Sequence, residues 1–210
     1  MMNTRGKYFF FLFFPFLLLS ACDKQNGGGV GTDVPGDDII EGPYDPTPYT
    51  LELPDHFQEP FIPEDNPLTT DGIELGRHLF YDPILSSDST MSCASCHLPQ
   101  FGFTDGLATS TGVLGMNGRR SSMPIMNLAF NTKGFFWDGR AATLEEQALI
   151  PIEDHLELNE SWENVEEKLR NHSTYPEMFR AAFGIDTKSQ IARDLAVKAI
   201  AQFERTLISA

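Results

Sequence analysis

The chain has 210 residues, of which 15 are lysine or arginine and 30 are aspartate or glutamate, so its formal net charge is −15. A surface this acidic repels phosphate backbones, which excludes nucleic acid as an expected partner and leaves small basic proteins compatible with it. Three cysteines are too few for a disulfide framework, and the 41% of hydrophobic residues indicates that most of the chain folds.

The first 21 residues have the pattern of a bacterial secretion signal. Arg5 and Lys7 precede an apolar run over residues 8–19, which is shorter than the roughly 20 residues of a membrane-spanning helix. The sequence Leu-Ser-Ala-Cys at 19–22 is typical of a lipobox, in which cleavage leaves Cys22 as a lipid-modified N-terminus. We therefore expect an exported protein of the periplasm or cell envelope, held at the membrane only by a lipid anchor at Cys22. The alternatives are an ordinary secreted protein with an incidental cysteine and a transmembrane helix.

Residues 22–67 are predicted to be a tether. They hold eight of the 14 prolines and three consecutive glycines at 27–29, and they show no helical or strand periodicity. We expect a disordered, flexible Gly/Pro-rich spacer followed by an extended lead-in, with folded structure beginning near Leu68.

The folded part is predicted to begin with a helix at Thr70. Acidic residues lie in its first turn, Leu75, Leu79 and Phe80 face inward, and Pro83 ends it. From about residue 85 to residue 140 the chain is rich in Ser, Gly and Thr and has no sustained periodicity. Such a long irregular stretch is uncommon inside a compact domain, and a large ligand that replaces missing core would explain it.

Further helices are predicted towards the C-terminus. Thr143 begins one with a capping box, and this helix extends to about Ile150. Ser161 caps the next, and Gly184 ends a third over residues 175–183.

The last predicted helix starts at a capping box formed by Thr187 and Gln190. Its apolar residues recur four apart on one face: Ile191, Leu195, Ala199, Phe203 and Leu207. Because no segment alternates cleanly between apolar and polar residues, a large sheet is not expected, and the predicted fold class is mainly α.

The motif Cys93-Ala-Ser-Cys96-His97 has the C-x-x-C-H pattern of c-type haem attachment. Two thiols at this spacing reach both vinyl groups of one porphyrin, and the imidazole of the next residue then lies under the iron. A thioredoxin-like redox pair would need a βαβ setting, and a zinc site would need a second ligand pair. The sequence shows neither of these features. We therefore expect one covalent haem c with His97 as axial ligand of the iron.

Seven sequence blocks between Leu75 and the C-terminus carry a resemblance to a known family. They are LGRHLFYDP at 75–83, MSCASCH at 91–97, TDGLATS at 104–110, FWDGRAA at 136–142, LEEQA at 144–148, PI with LEL at 151–152 and 156–158, and AQFERTLIS at 201–209. In this order they resemble the N-terminal domain of bacterial di-haem cytochrome c peroxidases. The resemblance implies a cytochrome c-like haem domain over 68–210, with long irregular loops around the haem.

A complete member of that family carries two c-type haems in two similar domains. The N-terminal haem reduces peroxide, and the C-terminal haem receives electrons from a small cytochrome or copper protein. This chain holds one C-x-x-C-H and stops where the second domain would begin. The resemblance therefore implies the peroxidatic half alone, as a fragment or a truncated reading frame.

The resemblance assigns a distal glutamate and glutamine to Glu157 and Gln147. Cleaving the O–O bond requires moving a proton from one oxygen to the other, which a carboxylate performs while an amide orients the peroxide. Without the resemblance, Glu157 would be a solvated helix-end charge and Gln147 part of an exposed helical face. His155, two residues before Glu157, is a candidate for tuning its proton affinity.

Three further residues have two interpretations each. Trp137 matches a family tryptophan between the two haems, a stepping stone for electrons, but a core aromatic packed on the porphyrin would look the same in sequence. Arg120 and Arg140 are candidates for pairing with haem propionates, because guanidinium binds carboxylates bidentately; ordinary surface charge is the alternative.

Two positions depart from the family. Many members have a histidine that caps the iron of the resting enzyme, and Val113 stands at this position. We therefore expect a five-coordinate oxidised haem, with Met116 as the alternative cap. The interdomain calcium asparagine corresponds to Ser121 or Ser122, which makes calcium doubtful.

The predicted function is reduction of hydrogen peroxide to water with electrons from a small periplasmic donor, a cytochrome or copper protein. One alternative is an electron-transfer cytochrome, with Met116, Met123 or Met126 closing the iron. The other is a related di-haem enzyme that oxidises tryptophans of a partner protein.

Overall fold

The computed structural model describes residues 38–209, and within them it is mainly α, as predicted. The described part contains no β-strand, only isolated bridges. Its helices are α1 (Thr70–Tyr81), α2 (Leu144–Glu153), α3 (Trp162–Asn171), α4 (Tyr175–Phe183) and α5 (Arg193–Arg205).

The core lies between α1 and α5, with α2 packed on α5 and α4 packed on α1. Leu75 and Leu79 of α1 meet Val165, Phe179 and Ile200 from the other helices in one apolar cluster. The approach of α1 to α5 depends on a glycine.

That glycine is Gly76. A Cβ atom built on it would lie 1.9 Å from the Ala199 carbonyl oxygen, so a side chain is excluded at this crossing. The two helices are therefore closer together than side chains at this position would allow.

The structure confirms the helix ends that were predicted from capping residues close to them in sequence. The Thr143 hydroxyl accepts the Glu146 N–H, and the Ser161 hydroxyl accepts the Asn164 N–H. Gly184 ends α4 with φ of 70°, the left-handed conformation that glycine adopts without strain.

The predicted start of the last helix is wrong. Thr187 and Gln190 cap only a single 3₁₀ turn, and α5 begins at Arg193. The Arg170 guanidinium donates hydrogen bonds of 2.6 and 3.1 Å to the Ile191 carbonyl. These bonds hold the backbone between the 3₁₀ turn and α5 in an extended conformation. Leu207, predicted on the same helix face, lies beyond the end of α5.

Residues 85–140 are irregular, as predicted. They contain short 3₁₀ turns at Cys93–Ser95, Pro99–Phe101 and Leu128–Phe130. The bridge between Thr111 and Asn117 closes a hairpin within this stretch, here called the 110–118 hairpin.

The secretion signal and Cys22 lie outside the described residues. In the lead-in, Ile40 is 7% exposed and Asn66 is 2% exposed, and the Ile40 N–H donates to the Asp186 carbonyl at 3.0 Å. Packing against the helices therefore begins earlier than Leu68, where folded structure was expected to start. Across residues 38–209, no helix combines the length and apolar character that crossing a membrane requires.

Candidate functional site

A cavity of about 480 Å³ lies between the irregular stretch, the end of α2 and α5, and we call it the central cavity. All the predicted site residues that the structure describes line it. They are Cys93, Cys96, His97, Arg120, Trp137, Arg140, Gln147 and Glu157.

The two cysteines are held by a short 3₁₀ turn at the cavity wall. The Ser92 N–H donates to the Ser95 hydroxyl at 3.1 Å and closes this turn around Cys93. Both thiols are free, and burial raises the pKa of Cys93 to about 12. A thioredoxin-like nucleophile needs a lowered thiol pKa, so this environment does not suit redox exchange.

His97 has one ring nitrogen committed to the backbone. With Nδ1 as the donor, the ring bonds the Phe103 carbonyl at 2.9 Å, and Phe103 has an unusual positive φ of 59°. This leaves the Nε2 lone pair for a metal. Burial lowers the pKa of His97, which favours the neutral imidazole that binds iron.

Glu157 lies in a tight turn after α2. Its N–H donates to the Asp154 carbonyl at 2.9 Å, and its own carbonyl accepts the Val113 N–H at 2.8 Å. Burial raises the pKa of the half-buried Glu157 carboxyl, repulsion from Asp154 raises it further, and Arg140 acts in the opposite direction. Burial and the neighbouring Asp154 carboxylate therefore both favour the protonated form of Glu157.

Gln147 lies on α2, one turn before Pro151. Proline has no N–H, so Pro151 cannot donate the helical bond to the Gln147 carbonyl. Both residues line the central cavity, together with Ala148 and Ile150. This end of α2 thus gives the cavity an apolar wall with one amide.

The 110–118 hairpin lies directly against the Glu157 turn. A Cβ atom on Gly112 would lie 2.1 Å from the Leu156 carbonyl oxygen, so glycine is required at this contact. Met116 is 38% exposed and does not line the cavity, and Met126 does not line it either. Of the methionines considered as iron ligands, only Met123 lines the cavity.

Trp137 is not a core residue. It is 56% exposed, and its indole N–H donates to the Ser121 carbonyl at 2.9 Å. The neighbouring Asp138 carboxylate lies 3.1 Å from both Arg120 and Arg140, which fixes the two guanidinium groups at the cavity wall.

The two serines at the expected calcium position are engaged within the chain. The Ser121 carbonyl accepts the Trp137 indole N–H, and the Ser122 hydroxyl accepts the Asp105 N–H at 2.9 Å. Among residues 38–209, no group of three or more His, Cys, Asp or Glu side chains is placed to hold a bare metal ion.

Glu204 was missed by the sequence reasoning. It lines the central cavity, is 5% exposed, and its Oε2 atom has no hydrogen-bond partner. Burial raises the pKa of Glu204 to about 8. The available signal was a glutamate one turn after Ile200 on the apolar face of α5.

A sequence model of the family described as di-haem cytochrome c peroxidase matches residues 70–210. The chain belongs to the di-haem cytochrome c peroxidase family.

Two curated relatives illustrate the range of this family. The chain is 42% identical over 147 residues to "Methylamine utilization protein MauG" of Methylorubrum extorquens, covering 70% of this chain and 41% of the relative. It is 39% identical over 159 residues to "Cytochrome c peroxidase Ccp" of Escherichia coli, covering 74% of this chain and 33% of the relative. The chain thus spans less than half the length of these relatives.

Solved structures agree with the family. A MauG-like protein associated with microbial copper homeostasis superposes with a TM-score of 0.70 at 32% identity, covering 77% of this chain and 47% of that chain. The di-haem peroxidase BthA of Burkholderia thailandensis superposes with a TM-score of 0.58 at 26% identity, covering 67% of this chain and 39% of that chain.

The central cavity fits the haem c that the family implies. It brings two free thiols and an imidazole with a committed Nδ1 to one apolar-walled space, and it contains the orphaned Glu204 carboxyl oxygen. Cys93 and Cys96 would form the two thioethers, and His97 would bind the iron.

Proposed function

We propose that the protein reduces hydrogen peroxide to water at one haem c attached to Cys93 and Cys96, with His97 as axial ligand. The observation that carries this proposal is that Glu157, a half-buried carboxyl, lines the same cavity as the C-x-x-C-H motif. When bound, the haem supplies the iron that binds peroxide and the electrons that cleave the O–O bond.

The protein groups supply proton transfer and orientation. Glu157 accepts the proton of the inner peroxide oxygen and returns it to the outer oxygen, which leaves as water. Burial and Asp154 raise its pKa, which makes the carboxylate a stronger proton acceptor than an exposed glutamate. The Gln147 amide orients the peroxide, and Arg120 and Arg140 pair with the haem propionates.

Glu157→Gln tests the proposal. Because the amide cannot carry the proton, the rate of reaction with peroxide should fall by about a hundredfold or more. Stopped-flow measurement on the haem-loaded protein gives this rate, and haem content should be unchanged. Glu167→Gln is the matched control, since Glu167 is exposed on α3 and does not line the cavity. An E157Q protein as fast as the wild type would contradict the assignment.

The electron donor is proposed to be a small basic cytochrome or copper protein, since the chain is acidic. Trp137 is the proposed entry point for electrons. It is more than half exposed and lines the cavity, so it links the surface to the haem.

A second candidate function is oxidation of tryptophans in a partner protein. It is favoured by the 42% identity to the methylamine utilization protein MauG and by Val113, which provides no iron ligand. A third, pure electron transfer, requires a closed iron, and the exposure of Met116 argues against that ligand.

We also propose a domain organisation and location: a signal over 1–21, a tether that begins at Cys22, and a haem domain over 68–210 onto which the lead-in packs from Ile40. The chain would be exported to the periplasm or cell envelope and lipid-anchored at Cys22. Cys22→Ser should then move the protein from the membrane fraction to the soluble fraction. Retention of the C22S protein in the membrane fraction would contradict the anchor.

A further inference from the structure

The C-terminal end of α2 has an unusual charge pattern. Each of the other four helices described carries a basic side chain in its last turn, whereas α2 carries none and ends in Glu153 and Asp154. A negative charge at the carbonyl end of a helix is unfavourable. Local departures from stability rules of this kind are expected at functional positions.

Asp154 borders two spaces. It lines the central cavity, and it also lines an adjoining open pocket of about 390 Å³ at the C-terminal end of α2, which we call the outer pocket. His155 lines the outer pocket and is 61% exposed, and its Nδ1 lies 3.6 Å from the Asp154 Oδ1. Asp154 therefore borders both the open outer pocket and the cavity that Glu157 lines.

Asp154 is fixed relative to Glu157 by the turn between them. Its Oδ1 accepts the Leu156 N–H at 2.8 Å, and its carbonyl accepts the N–H groups of Glu157 and Asn159 at 2.9 and 3.1 Å. Both carboxyl groups line the central cavity, and their repulsion is one cause of the raised pKa of Glu157. The two groups are therefore electrostatically coupled.

We propose that His155 and Asp154 form the proton route from solvent to Glu157. The inference rests on the proposed function, in which each peroxide takes two electrons from the donor protein and two protons from solvent to give two waters. Protonated His155 gives its proton to Asp154, and Asp154 passes it to Glu157 after Glu157 has protonated the leaving oxygen. Glu157 delivers two such protons in turn to the oxygen that becomes the second water, and solvent reprotonates His155 each time.

Other charged groups face this route. Arg119 lines both spaces, and Glu153 lines the outer pocket. Across the central cavity stand Arg120, Asp138, Arg140 and Glu204. The route avoids Glu204, which does not line the outer pocket.

Asp154→Asn and His155→Gln test the route in the haem-loaded protein. Asparagine keeps the oxygen that accepts the Leu156 N–H but cannot relay a proton. Each variant should consume peroxide with a hydroquinone reductant about tenfold more slowly in steady-state turnover, because the route supplies the two protons that the second water needs. Added imidazole should restore H155Q, and formate should restore D154N. Glu153→Gln is the matched control, because Glu153 precedes Asp154 in the sequence, is exposed and does not line the central cavity.

Cyanide binding gives a second readout that does not depend on turnover. Hydrogen cyanide loses its proton to Glu157 on binding, so the binding rate follows the protonation of Glu157. D154N removes a repulsion that raises the pKa of Glu157, so the pH profile of cyanide binding should move to lower pH. E153Q should leave this profile unchanged.

The outcomes separate the two proposals. If E157Q reacts with peroxide like the wild type, the proposed function fails. If E157Q is slow but D154N and H155Q match E153Q, the function stands and the route is overturned. A third outcome is that the variants are slow, imidazole and formate do not restore their rates, and the pH profile of cyanide binding is unchanged. Asp154 and His155 would then have a purely structural role, which also overturns the route.

Discussion

At the scale of single residues, Val113 joins the 110–118 hairpin to the Glu157 turn. Its N–H donates to the Glu157 carbonyl at 2.8 Å, and its side chain has no atom that binds iron. The 110–118 hairpin therefore holds the Glu157 backbone without offering an iron ligand from this position.

We predict that the oxidised, haem-loaded protein is high-spin and binds cyanide without prior reduction. Its optical spectrum, before and after cyanide, measures this. Met116→Leu should have the same spectrum, because Met116 is exposed and outside the cavity lining. A low-spin resting spectrum that becomes high-spin only on reduction would contradict the prediction, and a change in M116L would identify Met116 as the ligand.

The residues that line the cavity were predictable where a motif contains them or where the resemblance assigns them a role. Cys93, Cys96 and His97 follow from spacing, and Glu157 and Gln147 follow from the resemblance. Glu204 and Asp154 were not predicted to function, because their significance depends on position in three dimensions. Glu204 becomes notable through burial without a partner, and Asp154 through bordering two spaces.

At the scale of elements, the contact between α1 and α5 defines the domain. Helix ends set by near neighbours, such as Ser161 and Gly184, were predictable from the sequence. The start of α5 was not, because Arg170, which is distant in sequence, holds the Ile191 carbonyl. Long-range hydrogen bonds of this kind leave no local signal.

Gly76→Ala should destabilise the domain by about 1–3 kcal/mol, because the added methyl group forces the two helices apart. Urea unfolding of the haem-loaded protein measures this free energy. Gly118→Ala is the control, since its added Cβ would lie 3.4 Å from the nearest atom, the Ser110 carbonyl oxygen. Equal stability of G76A and wild type would show that the helix crossing adjusts without cost.

At the scale of the whole molecule, charge governs encounters with other proteins. The net charge of −15 should attract a basic donor at long range, and salt screens such attraction. Composition alone predicts this property.

We predict that electron transfer from a basic donor slows as ionic strength rises from about 0.01 M to about 0.2 M. Stopped-flow oxidation of the reduced donor measures the rate, and a neutral hydroquinone reductant should show no such dependence. Two donor equivalents oxidised per peroxide support the peroxidase. Oxidation of partner tryptophans in place of the donor would instead favour the second candidate function.

The segment that precedes the family match also supports the site. The Asn66 amide donates to Glu145 on α2 at 2.6 Å and to the Lys198 carbonyl on α5, and it accepts from Gln202 at 2.9 Å. Glu145 lies two residues before Gln147, so the Asn66 side chain ties α2 to α5, the helix that carries Glu204. A chain shortened to the homologous region would lose the tie, and an isolated haem domain should therefore be cut upstream of Ile40.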